Sequence, residues 1–146
     1  MAYEVREIQP KLLFTLRVTD SAGRPAELRL HTGEAVVEPI DTQDWSENRF
    51  HQTAGFFLPD SGPPPGPAPE ATVTGEAHLC GVVVDTRTQR RVGHGIADVF
   101  AEYRTDPDAG SGAPALFLGF RCMTPQSIRI GYRVTVLAPL VAPPGD

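Results

Sequence analysis

The sequence predicts an all-β fold, an antiparallel β-barrel of about eight or nine strands, with a β-sandwich as the alternative way to pack the same strands. Three observations carry this. Apolar and polar residues alternate cleanly over Ser127–Leu137, the period of a half-buried strand. Short apolar runs of this kind recur along the chain, separated by stretches rich in proline, glycine and aspartate. Helical periodicity is confined to one short candidate, Asp41–Asn48, with Asp41 or Thr42 as its cap and Trp45 as its apolar anchor.

The longest feature is a pair of apolar runs, Ala71–Val84 and Arg91–Arg104, on either side of Asp85–Arg90. They read as one hairpin closed by a type I turn, with Val84 facing Arg90. In that register Glu76, His78, Cys80 and Val82 share a face with Val92, His94, Ile96, Asp98 and Phe100. Cys80 then lies opposite His94, and Glu76 near Asp98. The other face, with Val73, Gly75, Ala77 and Leu79 against Ala97, Val99, Ala101 and Tyr103, is small and uncharged. A slip of one residue would mix the two sets.

The remaining elements follow in order. Tyr3–Ile8 alternates loosely. Lys11–Thr19 is a strand with Leu12, Phe14, Leu16 and Val18 on one face. Asp20–Pro25 is a turn. Glu27–Thr32 returns with Leu28 and Leu30 expected inside, and Gly33 allows a bend or bulge before Glu34–Ile40. Arg49–Leu58 places Phe50, Ala54, Phe56 and Leu58 together. Pro59–Pro69 holds six prolines and two glycines in eleven residues, so it is expected as an exposed loop, a spacer or a lid. Asp106–Pro114 is a second loop, Ala115–Met123 reads as a strand buried on both sides, and 142–146 is a tail.

Composition bounds the function. A chain of 146 residues is read as a single domain, 1–146, large enough for its own core. The net charge of −5 argues against a nucleic-acid or anionic-membrane surface. No apolar run reaches the length of a membrane-spanning helix, and the first residues lack a signal-peptide pattern, so a cytoplasmic setting is expected. Cys80 and Cys122 form no CxxC pair. One lysine against twelve arginines, with fifteen prolines, suggests a high-GC bacterial genome.

No nucleotide-binding, zinc-protease or nucleophile-elbow motif is present. Two constellations remain. His78, Cys80 and His94 offer imidazole and thiolate for a metal-dependent enzyme, and Glu76 with Asp98 could form an acid–base pair. The aromatic and sulfur inventory offers a pocket instead. Trp45, Phe56, Phe117 and Met123 are the candidate substrate-binding lining, with Tyr103 and Tyr132 as catalytic hydrogen-bond donors. The small faces of the hairpin would leave room for an apolar ligand.

In size, all-β pattern, absence of catalytic motifs and genomic bias, the chain resembles the small single-domain β-barrel cyclases of bacterial polyketide biosynthesis. The resemblance lies in architecture, without a shared motif. It implies an enzyme of secondary metabolism that needs no cofactor and no metal. Such an enzyme holds a hydrophobic polyene in a near-attack geometry for cycloaddition, with Tyr103 or Tyr132 polarising a carbonyl. A non-enzymatic oligomeric binding or assembly module, with Ala115–Met123 at a subunit interface, is the alternative, and a homodimer fits either reading.

Overall fold

A computed structural model describes residues 3–40, 52–63, 71–82, 95–110, 112–124 and 126–140, apart from the side chains at 12, 13, 52 and 82. Seven strands run through these residues: β1 (Tyr3–Thr19), β2 (Pro25–Pro39), β3 (Gln52–Phe57), β4 (Thr72–Val82), β5 (Gly95–Thr105), β6 (Pro114–Met123) and β7 (Ile128–Pro139). They form two antiparallel sheets, ordered β1-β2-β7-β4 and β3-β6-β5. The fold is all-β, with no helix among the described residues. The expected short helix at 41–48 lies outside them.

The barrel does not close. β4 runs beside β5, and β1 beside β3, without a hydrogen-bonded ladder at either seam. The arrangement is the sandwich alternative, packed around one core. β7 supplies Ile128, Ile130, Tyr132, Val134 and Val136 to that core. β6 supplies Leu116, Leu118, Phe120 and Cys122, and β3 adds Ala54 and Phe56. Fully burying one such aliphatic or aromatic side chain is worth about 1.5–3 kcal/mol, and β7 and β6 supply most of these side chains. Tyr3 ties the β1 seam across the sheets: its hydroxyl donates to the Thr124 carbonyl at 3.2 Å and accepts the Thr124 N–H at 3.0 Å.

Several expectations need correction. Over the described residues the central hairpin is not a ladder: β4 pairs with β7 and β5 with β6. β4 and β5 each lie at an edge of their own sheet, and the two edges run side by side without a ladder. Glu76 and Asp98 are accordingly not a pair. Glu76 binds Arg133 across the first sheet, and Asp98 lies 3.2 Å from Arg121 on the second. In β4 the small, uncharged face turns inward over Val73–Ala77. In β5 a shift of register between Ala97 and Phe100, with Asp98 at φ 49°, turns Ile96 inward as well as Ala101 and Tyr103. Ala115–Met123 forms the central strand of the smaller sheet, but only its even positions face the core, and Arg121 is exposed.

The small residues do not make room; they let the seam come together. A Cβ at Gly75 would lie 2.8 Å from the Ala101 Cβ and 2.9 Å from Leu118 Cδ1. The loop after β3 is also less free than its prolines suggest. Ser61 is buried, donates to the Leu58 carbonyl and accepts the Leu116 N–H at 3.0 Å. The Asp20–Pro25 turn forms as expected, with the Asp20 carboxylate accepting the N–H groups of Ala22 and Arg24 at 2.9 and 2.8 Å.

The largest departure concerns β2. Leu28 and Leu30 face outward, opposite Leu16 and Phe14 on β1. The β2–β7 ladder runs from Ala26 to Val37 with no bulge at Gly33. The inward parity of Ala35 and Val37 therefore carries back to Gly33, His31, Arg29 and Glu27. The outer face of the β1–β2 hairpin is left apolar, with Phe14 and Leu16 exposed at 39% and 49%.

Replacing Gly75 with valine should destabilise the protein by about 1–3 kcal/mol, since the seam has no space for the added carbons. Gly81→Ala, with no atom within 4 Å of the new Cβ, should stay within about 0.5 kcal/mol of wild type. Urea unfolding curves of the two variants test this.

Candidate functional site

The inward positions of β2 form a polar row inside an apolar sandwich. Glu27 and Arg29 form an ion pair at 2.5 Å with side chains only 17% and 21% exposed. Arg29 Nη1 also donates to the Gly62 carbonyl at 3.3 Å, which anchors the loop after β3 over this end of the row. His31 follows at 8% exposure, opposite Val134, and makes no hydrogen bond among the described residues. Gly33 comes next, and its missing side chain is what admits Tyr132. A Cβ there would stand 2.3 Å from the Tyr132 hydroxyl oxygen and 2.5 Å from the Gln9 carbonyl oxygen.

Tyr132 and Tyr103 enter this space from β7 and β5. Tyr132 is 2% exposed and meets Phe56 edge-on, with ring centroids 5.2 Å apart. Tyr103 lies opposite Leu116 on the second sheet and feels the charges of Arg29 and Glu27. Both hydroxyls are buried and neither has a hydrogen-bond partner among the described residues. Leaving such a group unsatisfied costs about 1–3 kcal/mol. Burial pushes the Tyr132 phenol up to about 12 and raises that of Tyr103, with Glu27 adding to the rise and Arg29 opposing it. Both therefore remain protonated donors near neutral pH. Burial, reinforced by the Arg29 charge, lowers the pKa of His31 and favours the neutral imidazole.

The expected lining divides. Tyr103, Tyr132 and Phe56 face the space between the sheets. Phe117 and Met123 do not: they occupy odd positions of β6, whose even positions are the core. On that outer face Phe117 packs against Phe57 and Phe100 beneath the Arg104 guanidinium, 4.5 Å from its ring centre. Trp45 lies outside the described residues.

His78 and Cys80 sit on the outer face of the larger sheet, side by side over Gly131. They line an open groove of about 630 Å³ together with Gln9, Lys11, Glu34 and the Glu76–Arg133 pair. His94, the third member of the expected metal set, lies outside the described residues. Among the described residues no three His, Cys, Asp or Glu side chains converge as metal ligands. Cys122 is buried in the core, which pushes its thiol up to about 12, whereas Cys80 is exposed.

Sequence reasoning missed His31, Arg29 and Glu27. The signal that could have found them was the parity of Ala35 and Val37, read backwards through Gly33 without a bulge. No protein-family model, curated protein or solved structure matches the chain. Fold and site together define an all-β two-sheet protein with a partly buried polar row on the inner face of β2. No helix among the described residues is long and apolar enough to cross a membrane.

Because His31 titrates below its unfolded value, its contribution to stability is complete above about pH 6.5. It falls away as the pH drops from there through the folded-state pKa, since the unfolded chain then binds a proton that the fold resists. His31→Gln should lose less stability than wild type across that window, as followed by thermal unfolding at stepped pH.

Proposed function

We propose that the protein binds a hydrophobic small molecule between its sheets and acts on it as a cofactor-independent cyclase or isomerase. The observation that carries this reading is the pair of buried phenol hydroxyls, Tyr132 and Tyr103, with no partner among the described residues. Buried polar groups are nearly always satisfied, and those that are not call for a role. A ligand oxygen held by either phenol would offset the cost, while Phe56 and the aliphatic side chains of β6 and β7 pack against the ligand's apolar part. In a space shielded from water, a phenol donor is worth more to a developing oxyanion than it would be in solution. Cyclisation of a polyketide polyene in a bacterial pathway is the substrate reading that agrees with the architectural resemblance.

Binding of a conjugated polyenone, followed by its absorbance shift or by calorimetry, tests the proposal. Tyr132→Phe should weaken binding about tenfold, or about 1.4 kcal/mol. The same variant should unfold at an equal or higher temperature in the absence of ligand, because it deletes an unsatisfied buried hydroxyl. Equal affinity in the two proteins, or no binding to either, would reject the role given to Tyr132.

A second reading, a self-associating or assembly module, is favoured by the apolar outer strip of Phe14, Leu16, Leu28 and Leu30. On that reading wild type sediments as a homodimer and Leu16→Glu shifts it to monomer. A wild-type monomer at micromolar concentration removes the reading.

A further inference from the structure

The sequence reading left His31 without a role, and the proposed function needs only the phenols. Yet His31 is the most deeply buried ionisable group on β2, and it stands two residues from the glycine over which the Tyr132 hydroxyl lies. Two residues along a strand separate these points by roughly 7 Å on the same face. That spacing is about what a carbonyl oxygen and its adjacent carbon span with a hydrogen-bond length at each end. The oxygen would accept from Tyr132 at hydrogen-bond distance, and the neighbouring C–H would be directed toward the imidazole. We infer that His31 is the general base of this site and that the ligand class is a small apolar ketone with an acidic C–H beside its carbonyl. The inference rests on the reading that the space between the sheets is the binding site.

The step balances without a co-reactant. The C–H bond breaks, its electron pair becomes the C=C bond of an enolate, and the carbonyl π pair moves onto oxygen. The proton rests on the imidazole. The enolate oxygen takes the Tyr132 hydrogen bond, which strengthens as charge develops there. Return of the proton to the same carbon gives exchange, and its return to a conjugated carbon gives an isomer. A neutral imidazole is required at the start, and the surroundings favour it. The other ionisable groups of the interior are Glu27 and Arg29 on β2, Tyr132 on β7, Tyr103 on β5, Tyr3 on β1 and Cys122 on β6, and the register sets His31 opposite Leu12 of β1. Glu27 neutralises Arg29, so no free carboxylate is left among these groups to hold the imidazolium.

The test is α-hydrogen exchange of 2-tetralone in D2O, followed by proton NMR with the full chain, alongside calorimetric binding of the same ketone. Wild type should accelerate exchange above the buffer rate. His31→Gln should lose at least tenfold of that acceleration while keeping the dissociation constant within about twofold; Tyr132→Phe should weaken both. In wild type the exchange rate should rise with pH and level off below pH 6.5. Levelling needs no variant, so it stands even if a substitution disturbs folding. Binding with exchange unchanged in His31→Gln, or a wild-type rate that climbs with hydroxide through pH 9, overturns His31 as base and leaves the interior site in place. Failure of 2-tetralone to bind between the sheets, with Tyr132→Phe no different from wild type, overturns the interior site and this inference with it.

Discussion

Packing of β7 against β6 is the constraint on which the rest of the structure depends. Both strands are central in their sheets, and both present uninterrupted rows of buried side chains to each other. Their parity fixes which residues of β2, β3, β4 and β5 face inward, because each ladder transmits the alternation to its neighbour. A shift of register resets that parity locally, and the structure uses shifts near Glu7 in β1, after Leu79 in β4 and at Asp98 in β5. β2 has none along β7. Its inward row is therefore inherited from Val37 and Ala35 and forces Glu27, Arg29 and His31 beneath the second sheet.

A row of this kind works against stability. An aliphatic row would add burial energy, whereas a partly buried ion pair, an imidazole and two unsatisfied phenols each carry a desolvation cost. The Glu27–Arg29 pair is compensated by its mutual contact and by the Gly62 carbonyl. The phenols have no hydrogen-bond partner among the described residues, and His31 makes no hydrogen bond there. Meanwhile the leucines that could have filled the interior face outward with Phe14 and Leu16. Chains keep such locally inconsistent choices mainly where function requires them. The inversion of polarity along β2 is thus the strongest structural reason to look for chemistry between the sheets.

Much of the fold was legible in the sequence. The alternation of Ile128–Val136 gave β7 and its buried face, Ala54 and Phe56 gave the face of β3, and Asp20 with Gly23 gave the first turn. The missing β4–β5 ladder was not legible, because adjacency in sequence gives no hint that the two strands end on the edges of different sheets. Their small residues were read as room for a ligand, yet Gly75 and Ala101 serve to bring the two sheets' edges into contact. Of the candidate lining, Tyr103, Tyr132 and Phe56 face the interior. Phe117 and Met123 were misplaced, since aromatic and sulfur content without parity cannot tell a core side chain from one packed on the outside. His31 was hidden by its flanking leucines, which look like the buried set until the register is known.

The most direct test of the central claim is a crystal structure of the protein soaked with 2-tetralone. The account requires ordered ligand density between the sheets, with its oxygen within hydrogen-bond reach of the Tyr132 hydroxyl and its ring against Phe56. Ligand seated only in the outer groove beside His78 and Cys80, with the inter-sheet packing unchanged, would contradict it.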